Sequence, residues 1–457
     1  MRESRLSLLL DARAARKHGR EAIARRQRER LTDIVAHARA HSPYYRQLYE
    51  GLPERVTDPA LLPVTGKAEL MARFDDWVTD PAVTLAAAQA FIADPARIGH
   101  KLAGRYTVVT TSGTTGARGI FLIDHKTLAV TSACAARMLS AWLTAPDLAR
   151  ILARGARIAM VNATGGHFAS VTAAAALRTN PLRRRLIGEF SVHTPLPELV
   201  AALNRFRPAI LAPYATTGAL LASEQHAGRL RIDPVLVVLS AEGLPDTEYD
   251  RIGSAFGAKV RQGYAASECT FLSFSCQHKW LHVSSDWAVL EPVDAEHQPV
   301  PAGQTSHTTL LSNLANRIQP ILRYDLGDAI LVRPDPCPCG DPLPAIRVHG
   351  RSADVLTFHT RAGVAVTIAP LAISTLLDRI PGIEFSQIVH TTPVELSIRL
   401  QPLDGADPEL VWQQVHTHIS RLLTDHQLGH VTVTRDTEPP QQTPGGKYRT
   451  VIPLISS

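Results

Sequence analysis

Between Tyr106 and Leu356, short uninterrupted apolar runs recur: YTVVT at 106–110, ARIAMVNA at 156–163, AILAPY at 209–214 and VLVVLSA at 235–241. Ala/Leu-rich stretches of helical character separate them. A strand wetted on one face alternates apolar and polar residues, whereas a strand covered on both faces can be apolar throughout. Such runs, alternating with helices, predict buried and largely parallel strands, hence an α/β fold. From about 281 to 333 the pattern becomes alternating and Pro/Gly-broken, which predicts a small antiparallel region. Residues 1–100 read as helical, with a break at LLPVTGK (61–67). The C-terminal segment differs again. SQIVHTT, VELSIRL and HVTVTRD predict short strands, and PELVWQQVHTHISRLLTDH predicts an amphipathic helix, together a small α+β domain. The expected organisation is a large N-terminal domain at 1–352, with a basic helix over 1–50, and a small C-terminal domain at 353–457.

The charge narrows the function classes. The chain has 48 Lys+Arg against 42 Asp+Glu, a formal +6. Residues 1–30 hold nine Arg and Lys17 against Glu3, Asp11, Glu21 and Glu29, so the other 427 residues carry 38 charges of each sign. A nucleic-acid surface spread over the protein is disfavoured, because it would show as a distributed basic surplus. No apolar run reaches the length of a membrane span. The N-terminal apolar stretch is short and set among charges, unlike a secretory signal. Its periodicity predicts a solvated helix, free for partner docking or a homodimer contact. Five cysteines (134, 269, 276, 337, 339) without such a signal point to a reducing, cytoplasmic setting. Arg outnumbers Lys 41 to seven, so each retained Lys is informative.

The segment TVVTTSGTTGARG (107–119) runs from a hydrophobic strand into six Ser/Thr/Gly residues and on to another apolar run. Small residues let backbone N–H groups approach an anion, and the hydroxyls add donors. The spacing is not that of a Walker loop. TSGTTG resembles the phosphate-binding loop of the adenylate-forming superfamily of acyl-CoA synthetases and adenylation domains. QGYAASE (262–268), RYDLGD (323–328), HGRSADVL (349–356) and TPGGKYR (443–449) resemble that superfamily's further motifs, in the same order. LPVTGKAEL, LNRFRPAILAPYATTGALLA and LSAEGLP are similar to its phenylacetate-CoA ligase-like (coenzyme F390 synthetase-like) branch.

The resemblance implies that a carboxylate attacks the α-phosphate of ATP, giving an acyl-adenylate and pyrophosphate, and that the acyl group then passes to a nucleophile. It implies that Thr111, Ser112, Gly113, Thr114, Thr115 and Gly116 bind the ATP phosphates. Ala241, Glu242, Gly263 and Tyr264 would complete the nucleotide site, with Tyr264 stacked on adenine. Asp328 would hold the ribose hydroxyls, Arg351 the ribose or a phosphate, and Glu268 the Mg2+. Lys447 would be catalytic, and it is the only Lys after Lys279. His167 and Phe168 are implied at the acid pocket. Two departures stand out: Ala265 replaces the Gly usual after the motif Tyr, and Ala353 replaces the first of two hinge acids, so the pivot falls to Ala353 or Asp354.

CQHKWLH (276–282) and CPCG (337–340) supply three thiols and two imidazoles. Cys276, Cys337 and Cys339 with one His would suit a closed, structural tetrahedral Zn2+. His282 is the better fourth ligand and His278 the alternative; the plainer reading is unrelated thiols. A zinc knuckle at these two places also occurs in some proteins of the branch that the chain resembles. The expected function is ATP-dependent ligation of an aryl or similar small carboxylic acid to CoA. The alternatives are delivery to an amine, a carrier-protein thiol or another small nucleophile, or nucleotide binding without catalysis.

Overall fold

Three of the four apolar runs form the parallel strands that they predict. Leu236–Leu239, Ile210–Pro213, Ile158–Asn162 and Ile187–Ser191 pair in that order, all parallel. Ala159, Val161, Leu211, Val237 and Leu239 are buried in them. Tyr106–Thr110 departs from expectation, pairing antiparallel with Lys101–Leu102 and with Ile120–Ile123. Only residues 111–119 link Thr110 to Ile120. That is fewer than the dozen or so that a parallel crossover needs, so the two strands become antiparallel neighbours.

The computed structural model describes residues 5–111, 119–162, 167, 184–241, 246–349, 356–368, 370–377, 379–402, 405–441, 451–452 and 454. They fall into two compact units, one from within 1–110, 119–149 and 261–351, the other from within 111–118, 150–260 and 352–457.

In the first unit the basic N-terminus forms two helices, Arg5–Lys17 and Gly19–His41, joined at Gly19, whose φ of 79° favours glycine. This corrects the expected solvated helix. Arg13, Lys17, Arg20, Arg25 and Arg28 are exposed, but Arg26 and Arg30 both pair with Asp11. Arg30 also donates to the Asp286 carbonyl at 2.7 Å and lies 3.4 Å above the Trp287 ring. The Asp286 side chain is fully buried; each of its oxygens accepts from Arg137 at 2.9 Å, and Arg30 stands 3.7 Å from it. The cations of the N-terminus are therefore partly spent on holding it to the rest of its unit.

The region 281–333 is antiparallel, as its pattern predicts. Five strands pair side by side as one run of a sheet, in the order Ala329–Val332, Ala345–His349, Leu281–Val283, Cys269–Ser275 and Lys259–Ala266. Laid flat, its outer strands would stand about 19 Å apart. Yet the Tyr264 hydroxyl, on one outer strand, donates to the carboxylate of Asp328, just ahead of the other, at 2.7 Å. This run of strands is thus bent around Leu281, Val283, Ile330 and Ile346, with Tyr264 packed on that core.

In the second unit the C-terminal strands order as Thr432–Arg435, Glu395–Pro402, Ile383–Thr392 and Val451–Ile452. The middle pair is antiparallel, and each outer strand runs parallel to its neighbour. The helix Pro408–Asp425 starts where Asp407 accepts from the N–H groups of Glu409 and Leu410, with Pro408 in the first turn, and buries Val411, Val415, Ile419, Leu422 and Leu423. No single helix among the described residues is long and apolar enough to cross a membrane.

The bend predicts that Tyr264→Phe, which removes only the hydroxyl, costs about 1 kcal/mol. Thermal unfolding should show this as a fall of about 3 °C in Tm. An unchanged Tm would mean that the bond to Asp328 does not hold the sheet closed.

Candidate nucleotide site and metal centre

RYDLGD turns on itself to deliver its last acid. Gly327 has φ 69°, a left-handed conformation open to glycine, and its N–H donates to Asp325 at 2.8 Å, while the Thr308 hydroxyl donates to the same carboxylate. The Thr309 hydroxyl holds the Asp328 carbonyl at 2.7 Å. The turn leaves Asp328 buried beneath the Tyr264 hydroxyl.

Tyr324, in the same motif, reaches the other acid. Its hydroxyl donates to Glu268 Oε1 at 2.9 Å, and the Asn313 side-chain amide donates to the Glu268 carbonyl at 2.9 Å. Glu268 is buried and so fixed at both backbone and side chain. Gly263, next to Tyr264, pairs with Phe274 across the sheet. The Ser267 hydroxyl donates to the carbonyl of Thr110 at 3.4 Å, which sets the entrance of the Ser/Thr/Gly loop beside Glu268. Two motifs about sixty residues apart are thereby interlocked, Tyr264 to Asp328 and Tyr324 to Glu268.

The remaining expected residues are placed as follows. Thr111 is half-buried at the loop entrance. In the second unit, Ala241 has φ 69°, a strained conformation for a residue with a Cβ, and His167 is buried. Ser112, Gly113, Thr114, Thr115, Gly116, Phe168, Glu242, Arg351, Ala353, Asp354 and Lys447 lie outside the described residues. Sequence reasoning missed Tyr324 and Asn313. Tyr324 had a signal, because it stands inside RYDLGD; Asn313, in LLSNLANR, had none.

In the first unit the two cysteine motifs meet. Donor atoms of Cys276, His282, Cys337 and Cys339 all lie within 4.8 Å of one another. The sulfurs of Cys276 and Cys337 are 3.7 Å apart, and Cys339 Sγ is 3.2 Å from His282 Nε2. Tetrahedral Zn–S bonds of about 2.3 Å would put two thiolates about 3.8 Å apart, so the donor set fits zinc. His282 Nδ1 donates to the Leu343 carbonyl at 3.0 Å, which leaves Nε2 as the lone-pair nitrogen turned to the thiols. His278, the alternative ligand, is exposed and outside the set. Burial holds the Cys276 thiol above its ordinary pKa, pushes Cys339 up to about 12 and keeps His282 neutral to lower pH. Arg16 of the first helix stands 3.0 Å from Asp341, two residues beyond Cys339, so the N-terminus also reaches this loop.

No protein-family model and no curated protein matches the chain. Solved structures do match. One is 2-hydroxyisobutyryl-CoA ligase in complex with 2-HIB-AMP and CoA in its thioesterification state, at 22% identity and a TM-score of 0.56, over 95% of this chain and 89% of that one. Another is an open conformation of that ligase with 2-HIB-AMP and CoA, at 22% identity and a TM-score of 0.52, over 94% and 91% of the two chains. The mixed α/β chain therefore shares the fold of 2-hydroxyisobutyryl-CoA ligase.

Proposed function

We propose that the chain activates a carboxylic acid, of aryl or similar small kind, as its acyl-adenylate and transfers the acyl group to CoA. The observation that carries this reading is the interlocking of Tyr264, Glu268, Tyr324 and Asp328 beside the entrance of the Ser/Thr/Gly loop. Ordered motifs on a fold shared with an acyl-CoA ligase support it.

In this reading a carboxylate oxygen attacks the α-phosphorus of ATP, and the bond to the departing pyrophosphate breaks. The CoA sulfur, having lost its proton, then attacks the acyl carbon and AMP leaves. Such chemistry depends on positioning and on neutralising charge as it develops. Asp328 accepts hydrogen bonds from the ribose hydroxyls, and Tyr264 lays its ring along adenine. Thr111, Ser112, Gly113, Thr114, Thr115 and Gly116 surround the β- and γ-phosphates, with Arg351 on the ribose or a phosphate. Ala241 and Glu242 close the nucleotide site, while His167 and Phe168 line the acid pocket. Glu268, a hard oxygen donor, would hold Mg2+, which when bound offsets the phosphate charge. Lys447 brings an ammonium to the carboxylate and the α-phosphate, a point-like charge that a planar guanidinium would replace poorly. The C-terminal domain, 353–457, turns about Ala353 or Asp354 between the two half-reactions.

Cys276, His282, Cys337 and Cys339 would hold Zn2+ with protein ligands alone, a closed and therefore structural site.

Lys447→Ala should lower acid-dependent pyrophosphate release about 10³-fold while leaving Tm unchanged; release near the wild-type rate would remove Lys447 from the mechanism. Protein purified without chelator should contain close to one zinc per chain, and Cys337→Ser should lose the metal and several degrees of Tm. A zinc content near zero would sink the metal site.

A further inference from the structure

Residues 442–450, the span that carries Lys447, join two described points, Gln441 and Val451. Both points are held on consecutive residues of the strand Ile383–Thr392. At the far end, Val451 pairs in parallel register with Ile388. At the near end, Gln387 grips the backbone of Gln441 as a neighbouring strand would. Its Oε1 accepts from the Gln441 N–H at 3.2 Å, and its Nε2 donates to the Gln441 carbonyl at 3.1 Å. Gln387 is buried, 1% exposed, so its carboxamide must find its partners within the protein.

Arg399, the cross-strand partner of Gln387, extends the clamp. It donates to Gln387 Oε1 at 3.1 Å, to Asp436 at 2.9 Å and to Glu438 at 2.6 Å. Glu438 in turn accepts from the Gln441 side chain at 2.7 Å. The Asp436 N–H donates to the Ile398 carbonyl at 2.9 Å, so the run 436–441 is held at Asp436, Glu438 and Gln441. A carboxamide is suited to this place because it accepts and donates at once. A carboxylate could not donate to the Gln441 carbonyl, and an alkyl chain could do neither.

We infer that Gln387, backed by Arg399, is a positioning residue that sets where the Lys447 segment leaves the C-terminal sheet and so where the ammonium meets the α-phosphate. The inference rests on the adenylation reading for its chemistry, but the anchoring can be read without it. Misplacing a reacting group by about 1 Å can cost a hundredfold in rate.

The test uses the full chain with Gln387→Leu, and Gln387→Glu as the milder variant should the first fail to fold. Adenylate formation is measured by pyrophosphate release with benzoate, phenylacetate and 2-hydroxyisobutyrate, and transfer is measured from synthetic benzoyl-adenylate to CoA. Because Lys447 is the only Lys after Lys279, a lysine-specific endoproteinase reports on the segment directly by releasing the peptide that begins at Tyr448. The expected result for Gln387→Leu is adenylate formation slowed about a hundredfold, with the KM for ATP and the transfer step unchanged. Cutting after Lys447 should be faster on the order of tenfold, with other lysines cut as before. Gln387→Glu should fall between wild type and Leu in both. Unchanged cutting and unchanged adenylate formation would overturn the inference, as would equal losses in both half-reactions, the mark of general destabilisation. If Lys447→Ala keeps wild-type pyrophosphate release, the adenylation role of Lys447 fails, and the cutting rate still decides the anchoring.

Discussion

The meeting of the two acidic motifs depends on one closure, the Tyr264 hydroxyl reaching the Asp328 carboxylate at 2.7 Å across a sheet whose hydrogen-bonding order keeps their strands apart. Bending this run of strands around a small apolar core brings QGYAASE against RYDLGD. Once these segments touch, the second bond follows, because Tyr324 and Glu268 sit where the same closure brings them. Two buried acids thus come to rest under phenol hydroxyls. Asp286, in contrast, is met by the guanidinium of Arg137 and is committed to structure. Hydroxyl-bonded carboxylates keep accepting capacity for further partners, which is what binding a sugar or a hard cation requires.

The N-terminus shows how a charge surplus can mislead. Its +6 is local, and part of it is answered locally by Asp11, by the carbonyl of Asp286 and by the ring of Trp287. Arg16 reaches Asp341, beside the cysteine cluster. A segment that reads as an independent basic helix is two helices bound into the unit that holds both the interlocked motifs and the Cys/His cluster. Arg13, Lys17, Arg20, Arg25 and Arg28 stay exposed on it.

Much of this was legible in the sequence because it was written locally. The apolar runs at 156–163, 209–214 and 235–241 became parallel strands, and the amphipathic pattern after Asp407 became the helix Pro408–Asp425 with its Asp cap and first-turn Pro. The run at 106–110 was misread because periodicity reports burial and not direction; the short link after it carried the missing information. Contacts between distant segments were illegible. Arg137 with Asp286, Tyr324 with Glu268 and Gln387 with Gln441 join ordinary residues whose meaning comes only from pairing. The cysteine set stood between these cases. Two weak local patterns became one donor cluster once the fold joined them, and the fold also chose His282 over His278.

The central claim is that the interlocked motifs serve adenylate formation. The most direct measurement is exchange of labelled pyrophosphate into ATP, run over a panel of small aryl and aliphatic acids without CoA. The account predicts exchange that depends on the acid and on Mg2+ and that is lost in Asp328→Ala. A folded wild-type protein that binds ATP yet shows no acid-dependent exchange with any acid would contradict it.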